Sequence, residues 1–253
     1  VGAGAVKNAW EPILTCFRPI NGHETDSDTA NFLFAKSICA LRLYSKLDRG
    51  SKQLIEEQES VRLIKEVIGD SLKQAQKARI LKPRKEFTAM LDKFVLCNPN
   101  NLFGFVTTNW DTVIDAEADR WVNDKYLDIE TAKVFHIHGS IEAHEHLYLP
   151  SETSLENYRT DAENEKIGYD HFATYELLKE ANSIILYGLS LDPLDAELNL
   201  LLDGTFATSK TIREVIIINP NYQVVRKRIK ILLFRRTGIA VRCFDPKNLE
   251  IEL

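Results

Sequence analysis

The sequence has no C-x-x-C pair, and its four cysteines, Cys16, Cys39, Cys97 and Cys243, lie far apart. This absence excludes a zinc ribbon and a redox dithiol, both of which need thiols paired at short spacing. No apolar run reaches the roughly 18 to 20 residues that cross a bilayer, and no signal or transit peptide pattern is present. Scattered thiols fit a reducing compartment. We therefore expect a cytoplasmic protein with no membrane partner.

An excess of positive charge is also missing, because the chain carries 32 Lys and Arg against 37 Asp and Glu, a formal net charge of -5. A dedicated nucleic-acid binder needs a basic surface, so we expect no direct nucleic-acid specificity. Hydrophobic residues make up 44% and charged residues 27% of the 253 residues, as in ordinary globular domains. The length fits one large domain or one domain with an insertion, and we predict a single domain over residues 1–253.

The stretch from about 28 to 98 has a helical pattern, because its apolar residues recur at intervals of three and four. This periodicity predicts helices over 30–47, 53–77 and 84–95. The stretch has almost no strand signal, and we interpret it as a helical insertion.

After residue 101, short runs rich in Ile, Val and Leu alternate with helical segments. Buried strands separated by helices predict a parallel sheet covered on both faces, hence an α/β fold with a doubly wound, Rossmann-like sheet. Such sheets bind ligands at the carboxyl ends of their strands, so the residues that directly follow each strand are the candidates for a site. The predicted strands are 102–107, 134–138, 183–187, 215–218 and 239–244, and the predicted helices are 111–126, 169–181, 193–203 and 221–234.

Small residues stand at the first candidate strand end, where Gly2, Ala3 and Gly4 occur. We expect them to follow a strand of which Val1 is the last residue. Glycines at such a place let the backbone approach a diphosphate, and a tight turn is the structural alternative. Lys7 stands where G-x-G-x-x-G needs its third glycine, so hydride transfer is disfavoured.

A polar cluster of Thr108, Asn109 and Asp111 follows the strand that ends at Thr107. Asn109 is suited to hold a sugar hydroxyl or a water molecule, and Asp111 is suited to cap the next helix. Helix capping by the whole cluster is the alternative, and it fits Asp111 better than Asn109.

His138 follows the next strand and precedes a glycine, which suits a general base that must approach a ligand. A strand-end histidine is more often structural, and this alternative stays open. His136 shares a strand face with His138, and His144 and His146 repeat the spacing, so metal binding is a further alternative. No cysteines or carboxylates complete a tetrahedral set, so we predict no metal. We expect His144 and His146 on the surface beside a short strand over 147–149.

Two later strand ends carry Gly188 with Ser190, and Asn219. A glycine and a hydroxyl before a helix suit contact with a phosphate or a ribose, and capping of the helix by Asp192 or Asp195 is also possible. Each signal is weak alone, but all of them occur in one order along the chain.

In that order, five short motifs resemble those of the sirtuin-like family: G-A-G, T-x-N-x-D, H-G, G-x-S and I-N. The resemblance implies that NAD+ is the ligand and that His138 is the base. It further implies that Asn109 and Asp111 are catalytic residues that contact the nicotinamide ribose and its water. It assigns Gly2, Ala3 and Gly4 to the NAD+ diphosphate, Gly188 and Ser190 to a phosphate or ribose, Asn219 to the adenosine ribose, and Thr108 to the NAD+ site.

Two features of classical sirtuin deacylases are missing, which disfavours acyl-lysine recognition. Only Pro12 remains of the G-I-P-D-F-R segment, and the four-cysteine zinc ribbon is absent. The chain is most similar to the divergent bacterial sirtuin-like NADases of antiphage defence, which carry a helical insertion in place of the zinc module.

The resemblance implies an NAD+ glycohydrolase that gives nicotinamide and ADP-ribose and depletes NAD+ on activation. It also implies a homo-oligomer or a complex with a sensor subunit, such as a short Argonaute, an ATPase or a nucleotide-binding regulator. A noncatalytic module that binds NAD+ or ADP-ribose is the alternative, and an NAD-dependent deacylase is a weaker one.

Overall fold

The computed structural model describes residues 27–48, 50–97, 104–124, 133–149, 151–193 and 195–248. Gly2, Ala3 and Gly4, with the strand expected before them, lie outside these residues. The described chain is mixed α/β, with parallel strands in two short sheets, and the predicted fold class is confirmed at this level. The helices are α1 (Ser27–Leu47), α2 (Lys52–Lys77), α3 (Lys85–Cys97), α4 (Val113–Asn123), α5 (Asp161–Glu180), α6 (Ala196–Thr208) and α7 (Tyr222–Leu232), and the strands are β1 (Phe105–Thr107), β2 (Val134–His136), β3 (Ser183–Tyr187), β4 (Glu214–Ile218) and β5 (Ala240–Phe244).

The chain divides into two compact units. The described residues of the first unit fall within 1–82, 105–118 and 134–170, and those of the second fall within 83–104, 119–133 and 171–253. The predicted single domain over 1–253 stays a prediction.

The first unit has a core built on α1 and α2. Ser51 caps α2, because its side chain accepts a hydrogen bond from the backbone N–H of Leu54. Apolar residues at helical spacing on both helices then form one cluster with residues after β2. Its buried members are Phe34, Ile38, Leu41, Leu54, Val61, Ile64, Ile68, Leu72, Ile141, Leu147 and Leu149.

The predicted short strand over 147–149 is wrong. Leu147, Tyr148 and Leu149 are all buried and show no alternation, and they follow a 3-10 helix at Ile141–His146 that contains the backbone of His144 and His146. Tyr148 donates its backbone N–H to the carbonyl of His138 (2.8 Å), and the Glu152 carboxylate accepts the N–H of Leu149. The Glu152 side chain therefore satisfies the backbone N–H of Leu149, which in a strand would bond to a neighbouring strand. His144 and His146 flank no strand, and the positions of their side chains lie outside the description.

The second unit contains a three-stranded parallel sheet in the order β3, β4, β5. Helix α6 connects β3 to β4, and α7 connects β4 to β5, which is the connection that parallel strands require. The central strand β4 is buried from Val215 to Ile218, which explains its unbroken apolar run. Met90 of α3 packs with Ile216, Ile218 and Phe244 in the core of this unit.

The stretch from 28 to 98 contains the three helices that its periodicity predicts. They do not form one group, because α1 and α2 belong to the first unit and α3 to the second. No helix within the described residues is both long enough and apolar enough to span a bilayer.

Candidate functional site

Strands β1 and β2 end side by side in the first unit. They are parallel neighbours, and Thr107 pairs in register with His136. Beyond the strands, the N–H of Ile137 donates to the carbonyl of Thr107 (3.2 Å) and that of Ile141 donates to the carbonyl of Trp110 (2.8 Å). The segments that carry Thr108, Asn109, Asp111 and His138 are therefore held together.

The contacts of the His138 ring favour one tautomer. Its Nδ1 lies 3.2 Å from the carbonyl oxygen of Thr108. A carbonyl only accepts hydrogen bonds, so Nδ1 carries the proton and Nε2 is the basic atom of the neutral ring. The ring stacks on Tyr148, with centroids 5.0 Å apart and an interplanar angle of 9°. The indole Nε1 of Trp110 donates to the carbonyl of Tyr148 (3.2 Å), which holds this platform in place.

Asn109 has a fixed backbone and an exposed side chain. Its N–H donates to Oγ1 of Thr107 (3.0 Å), and its carbonyl lies 3.2 Å from Nδ1 of His136. Its amide is thus presented at the same strand edge from which His138 leaves.

Asp111 is 5% exposed and has a structural contact. Its Oδ1 accepts the backbone N–H of Val113 (3.1 Å), the first residue of α4. This is the helix-capping geometry that the sequence analysis named as the alternative. A role of Asp111 in catalysis stays a prediction.

Sequence reasoning missed a pair of His136 and Asp115. Nε2 of His136 lies 2.9 and 3.1 Å from the two carboxylate oxygens of Asp115, and the His136 side chain is only 12% exposed. Burial alone would lower the pKa of His136, but the hydrogen bond and charge of Asp115 outweigh it and raise the pKa above its ordinary value. The only signal in the sequence is the two-residue spacing of His136 and His138, which also fits a metal site. In the described residues, no group of three or more His, Cys, Asp or Glu is placed to hold a metal ion.

The His136 pair makes stability depend on pH in a defined direction. Since the folded pKa is raised, the pair stabilises the fold fully below the ordinary histidine pKa of about 6.5, and this contribution is lost as pH rises through the folded pKa. We expect the difference in free energy of unfolding between wild type and Asp115→Asn to be largest near about pH 5 to 6 and to shrink at higher pH. Urea unfolding of both proteins over a pH series measures this difference. A difference that does not vary with pH would contradict the expectation.

The second unit brings Gly188, Ser190 and Asn219 together at the ends of the adjacent strands β3 and β4. Gly188 has φ +67° and donates its N–H to the carbonyl of Ile218 (2.9 Å), and a Cβ on it would meet no atom of the described residues within 4 Å. The position therefore needs glycine and leaves open space over its backbone.

Asn219 and Arg228 hold the loop that contains Gly188. Asn219 is 7% exposed, and its Nδ2 donates to the carbonyl of Leu189 (3.0 Å) while its Oδ1 accepts from the N–H of Asn221 (2.7 Å). Nη1 of Arg228 donates to the carbonyls of Ser190 (2.8 Å) and Leu191 (2.9 Å). The Asn219 side chain thus supports the loop directly, and Arg228 is a second support that the sequence analysis did not assign.

A buried ion cluster of Lys65, Glu152 and Arg159 supports the Tyr148 platform in the first unit. Arg159 lies 5.6 Å from the centre of the Tyr148 ring, and its Nη2 lies 2.7 Å from Oε1 of Glu152. The same Oε1 lies 3.4 Å from Nζ of Lys65 and accepts the hydroxyl of Tyr158 (2.9 Å). Burial would raise the pKa of Glu152, but the two cations and the Leu149 N–H lower it. Burial also lowers the pKa of Lys65, although the charge of Glu152 opposes this change. Glu152 is therefore the ionised partner that both basic side chains need.

An open pocket of about 830 Å³ in the first unit is lined by residues such as Arg42, Glu156, Arg159, Thr160 and Asn164. Of the predicted site residues that the structure describes, none is among its lining residues. Arg42 donates from Nε to Glu156 (2.8 Å), and Thr160 caps α5. Arg42, Glu156 and Thr160 in the lining therefore make contacts within the fold, and the pocket indicates no particular ligand.

Comparison of the chain with protein-family models, curated proteins and solved structures finds no match.

Proposed function

We propose that this protein is an NAD+ glycohydrolase, which uses water to cleave NAD+ into nicotinamide and ADP-ribose. The observation that carries the proposal is the placement of Asn109 and His138 at the adjoining ends of two parallel strands. The resemblance to sirtuin-like NADases gives these two residues their roles.

The chemistry needs few groups. Cleavage of the bond between nicotinamide and ribose builds positive charge on the ribose, so the enzyme must orient the sugar and activate water rather than supply a covalent nucleophile. The exposed Asn109 amide can hold the ribose hydroxyls or the water without adding charge. Nicotinamide leaves as a neutral molecule, the water oxygen bonds to the ribose carbon, and Nε2 of His138 takes the proton that the water loses.

We propose that Thr108, Gly188, Ser190 and Asn219 belong to NAD+ binding, together with the glycines near Val1. The open space over the Gly188 backbone supports this, because a diphosphate needs close approach to main-chain N–H groups. Asn219 would act by holding the loop that presents Gly188 and Ser190. The β3-α6-β4-α7-β5 order supports a doubly wound, Rossmann-like fold as the finer description of the chain.

We further propose that the protein is cytoplasmic and depletes NAD+ in antiphage defence. It would act as a homo-oligomer or with a sensor subunit such as an Argonaute-like protein, an ATPase or a nucleotide-binding regulator.

NAD+ consumption by the purified protein at several protein concentrations tests the proposal, with the products separated and light scattering used to follow assembly. We expect equal amounts of nicotinamide and ADP-ribose, and a rate per protein molecule that rises with assembly. NAD+ binding without release of nicotinamide at any concentration, with and without the partner, would contradict hydrolysis. That result would favour the noncatalytic binding module.

A further inference from the structure

We infer that His136 and Asp115 form a positioning pair that fixes the backbone of Asn109, so that His136 acts on the reaction through Asn109. The catalytic consequence rests on the proposed function, whereas the pair itself can be tested without NAD+.

The hydrogen-bond partners of His136 define its protonation state. Nδ1 faces the carbonyl oxygen of Asn109 at 3.2 Å, and Nε2 faces the Asp115 carboxylate at 2.9 and 3.1 Å. Neither partner can donate, so this geometry favours protons on both ring nitrogens, and we infer that the ring is an imidazolium. Asp111, which precedes α4, adds a second negative charge that favours this form. Among the described residues, these two carboxylates are the charged groups that raise the pKa of His136.

The pair holds Asn109 between three elements of the first unit. The Asn109 carbonyl is bound by His136 at the end of β2, and its N–H is bound by Thr107 at the end of β1. Asp115 lies in the first turn of α4, so the same ion pair ties this helix to β2. With both backbone groups of Asn109 held and its side chain exposed, the backbone sets where the amide is presented. A displacement of about 1 Å in such a group costs on the order of 10²-fold in rate.

His136 and His138 therefore have different tasks although they lie two residues apart. The doubly protonated and mostly buried His136 cannot accept a proton from water, whereas His138 donates from Nδ1 to Thr108 and keeps a basic Nε2. The spacing of His136 and His138 also fits a metal site, but here one of the two residues positions Asn109 and the other is the base.

Two substitutions separate the two bonds of His136. Asn places its amide nitrogen near the position of Nδ1 and keeps the donor to Asn109, whereas Gln places its amide near Nε2 and keeps only the donor to Asp115. We expect His136→Gln to lower kcat for NAD+ about 10²-fold with little change in KM, and His136→Asn to retain activity within about tenfold of wild type. His171→Gln is the matched control, because His171 also faces a carboxylate, that of Glu197 at 3.6 Å. The control should keep wild-type kcat.

NMR without NAD+ tests the pair independently of activity. In the wild type we expect both ring nitrogens of His136 to be protonated at neutral pH, and in Asp115→Asn we expect titration to move to lower pH. The backbone and side-chain amide signals of Asn109 should shift in His136→Gln and stay close to wild type in His136→Asn. Thermal unfolding of each variant identifies any loss of folding.

A neutral His136 ring at pH 7, or Asn109 signals unchanged in His136→Gln, would overturn the inference. A kcat unchanged in His136→Gln would overturn it as well. If the wild type shows the expected NMR behaviour but releases no nicotinamide from NAD+ at any protein concentration, with and without a sensor subunit, the proposed function fails and the positioning of Asn109 stands.

Discussion

His138→Asn is expected to lower NAD+ consumption by a factor of about 10² to 10⁴ while the protein stays folded. Asn keeps a donor near the position of Nδ1, so the hydrogen bond to the Thr108 carbonyl can remain, but its amide cannot take a proton from water. His138→Ala should lose activity to the same extent and should lose this anchoring bond as well. Steady-state NAD+ hydrolysis and thermal unfolding, measured on the same samples, separate the loss of the base from the loss of folding.

Asn109→Ala should also abolish NAD+ consumption, since alanine cannot hold a hydroxyl or a water. Asn123→Ala is the matched control, because Asn123 is an exposed asparagine at the end of α4. It should leave activity unchanged. Full activity in His138→Asn or in Asn109→Ala would refute the mechanism proposed here.

Glu152→Gln is expected to lower the free energy of unfolding by about 3 to 5 kcal/mol. Glu152 is 3% exposed and Lys65 is 7% exposed, and a carboxylate oxygen of Glu152 lies within 3.4 Å of Lys65 and 2.7 Å of Arg159. Gln has nearly the same shape but no charge, so the substitution would leave two cations without their buried counter-charge. Urea unfolding monitored by circular dichroism measures the change.

Two further variants give this measurement its controls. Glu165→Gln removes a carboxylate at an exposed position of α5 and should change stability by less than about 0.5 kcal/mol. Adding Lys65→Met to Glu152→Gln removes one of the unpaired cations and should recover part of the loss. Equal stability of Glu152→Gln and Glu165→Gln would show that the buried charges do not support this unit.

Strands and helices could be predicted from the sequence where their burial leaves a regular apolar pattern. The run over 215–218 was recognised because a central parallel strand is buried on both faces, and the observed strand adds only Glu214. The predicted strand over 134–138 was too long, because the chain leaves the ladder after His136 and turns at Gly139, where φ is +72°.

Helix α5 begins eight residues before its predicted start at 169. Its apolar residues do not form one buried stripe, since Ile167 is buried while Tyr169 and Phe172 are exposed. The start was nevertheless readable, because Thr160 and Glu163 form a capping box with hydrogen bonds in both directions.

The candidate site was predictable only where it follows strand ends. Asn109 and His138 are candidates because each stands directly after a strand, and parallel sheets bind ligands at the carboxyl ends of their strands. Asp115 could not be found in this way, because it reaches His136 from a helix turn 21 residues away, and Arg228 reaches the Ser190 carbonyl across 38 residues. Such contacts depend on how a helix packs on the strands, which local patterns do not encode.

The long separation of the buried charges also sets an order of events during synthesis. Lys65 precedes Glu152 by 87 residues, and Arg42 precedes Glu156 by 114 residues. At roughly 5 to 20 residues per second, translation reaches Glu152 about 4 to 17 s after Lys65. Arg42 of α1 and Lys65 of α2 are therefore synthesised before the carboxylates that pair with them. The first unit can reach its native charge balance only after Arg159 has emerged.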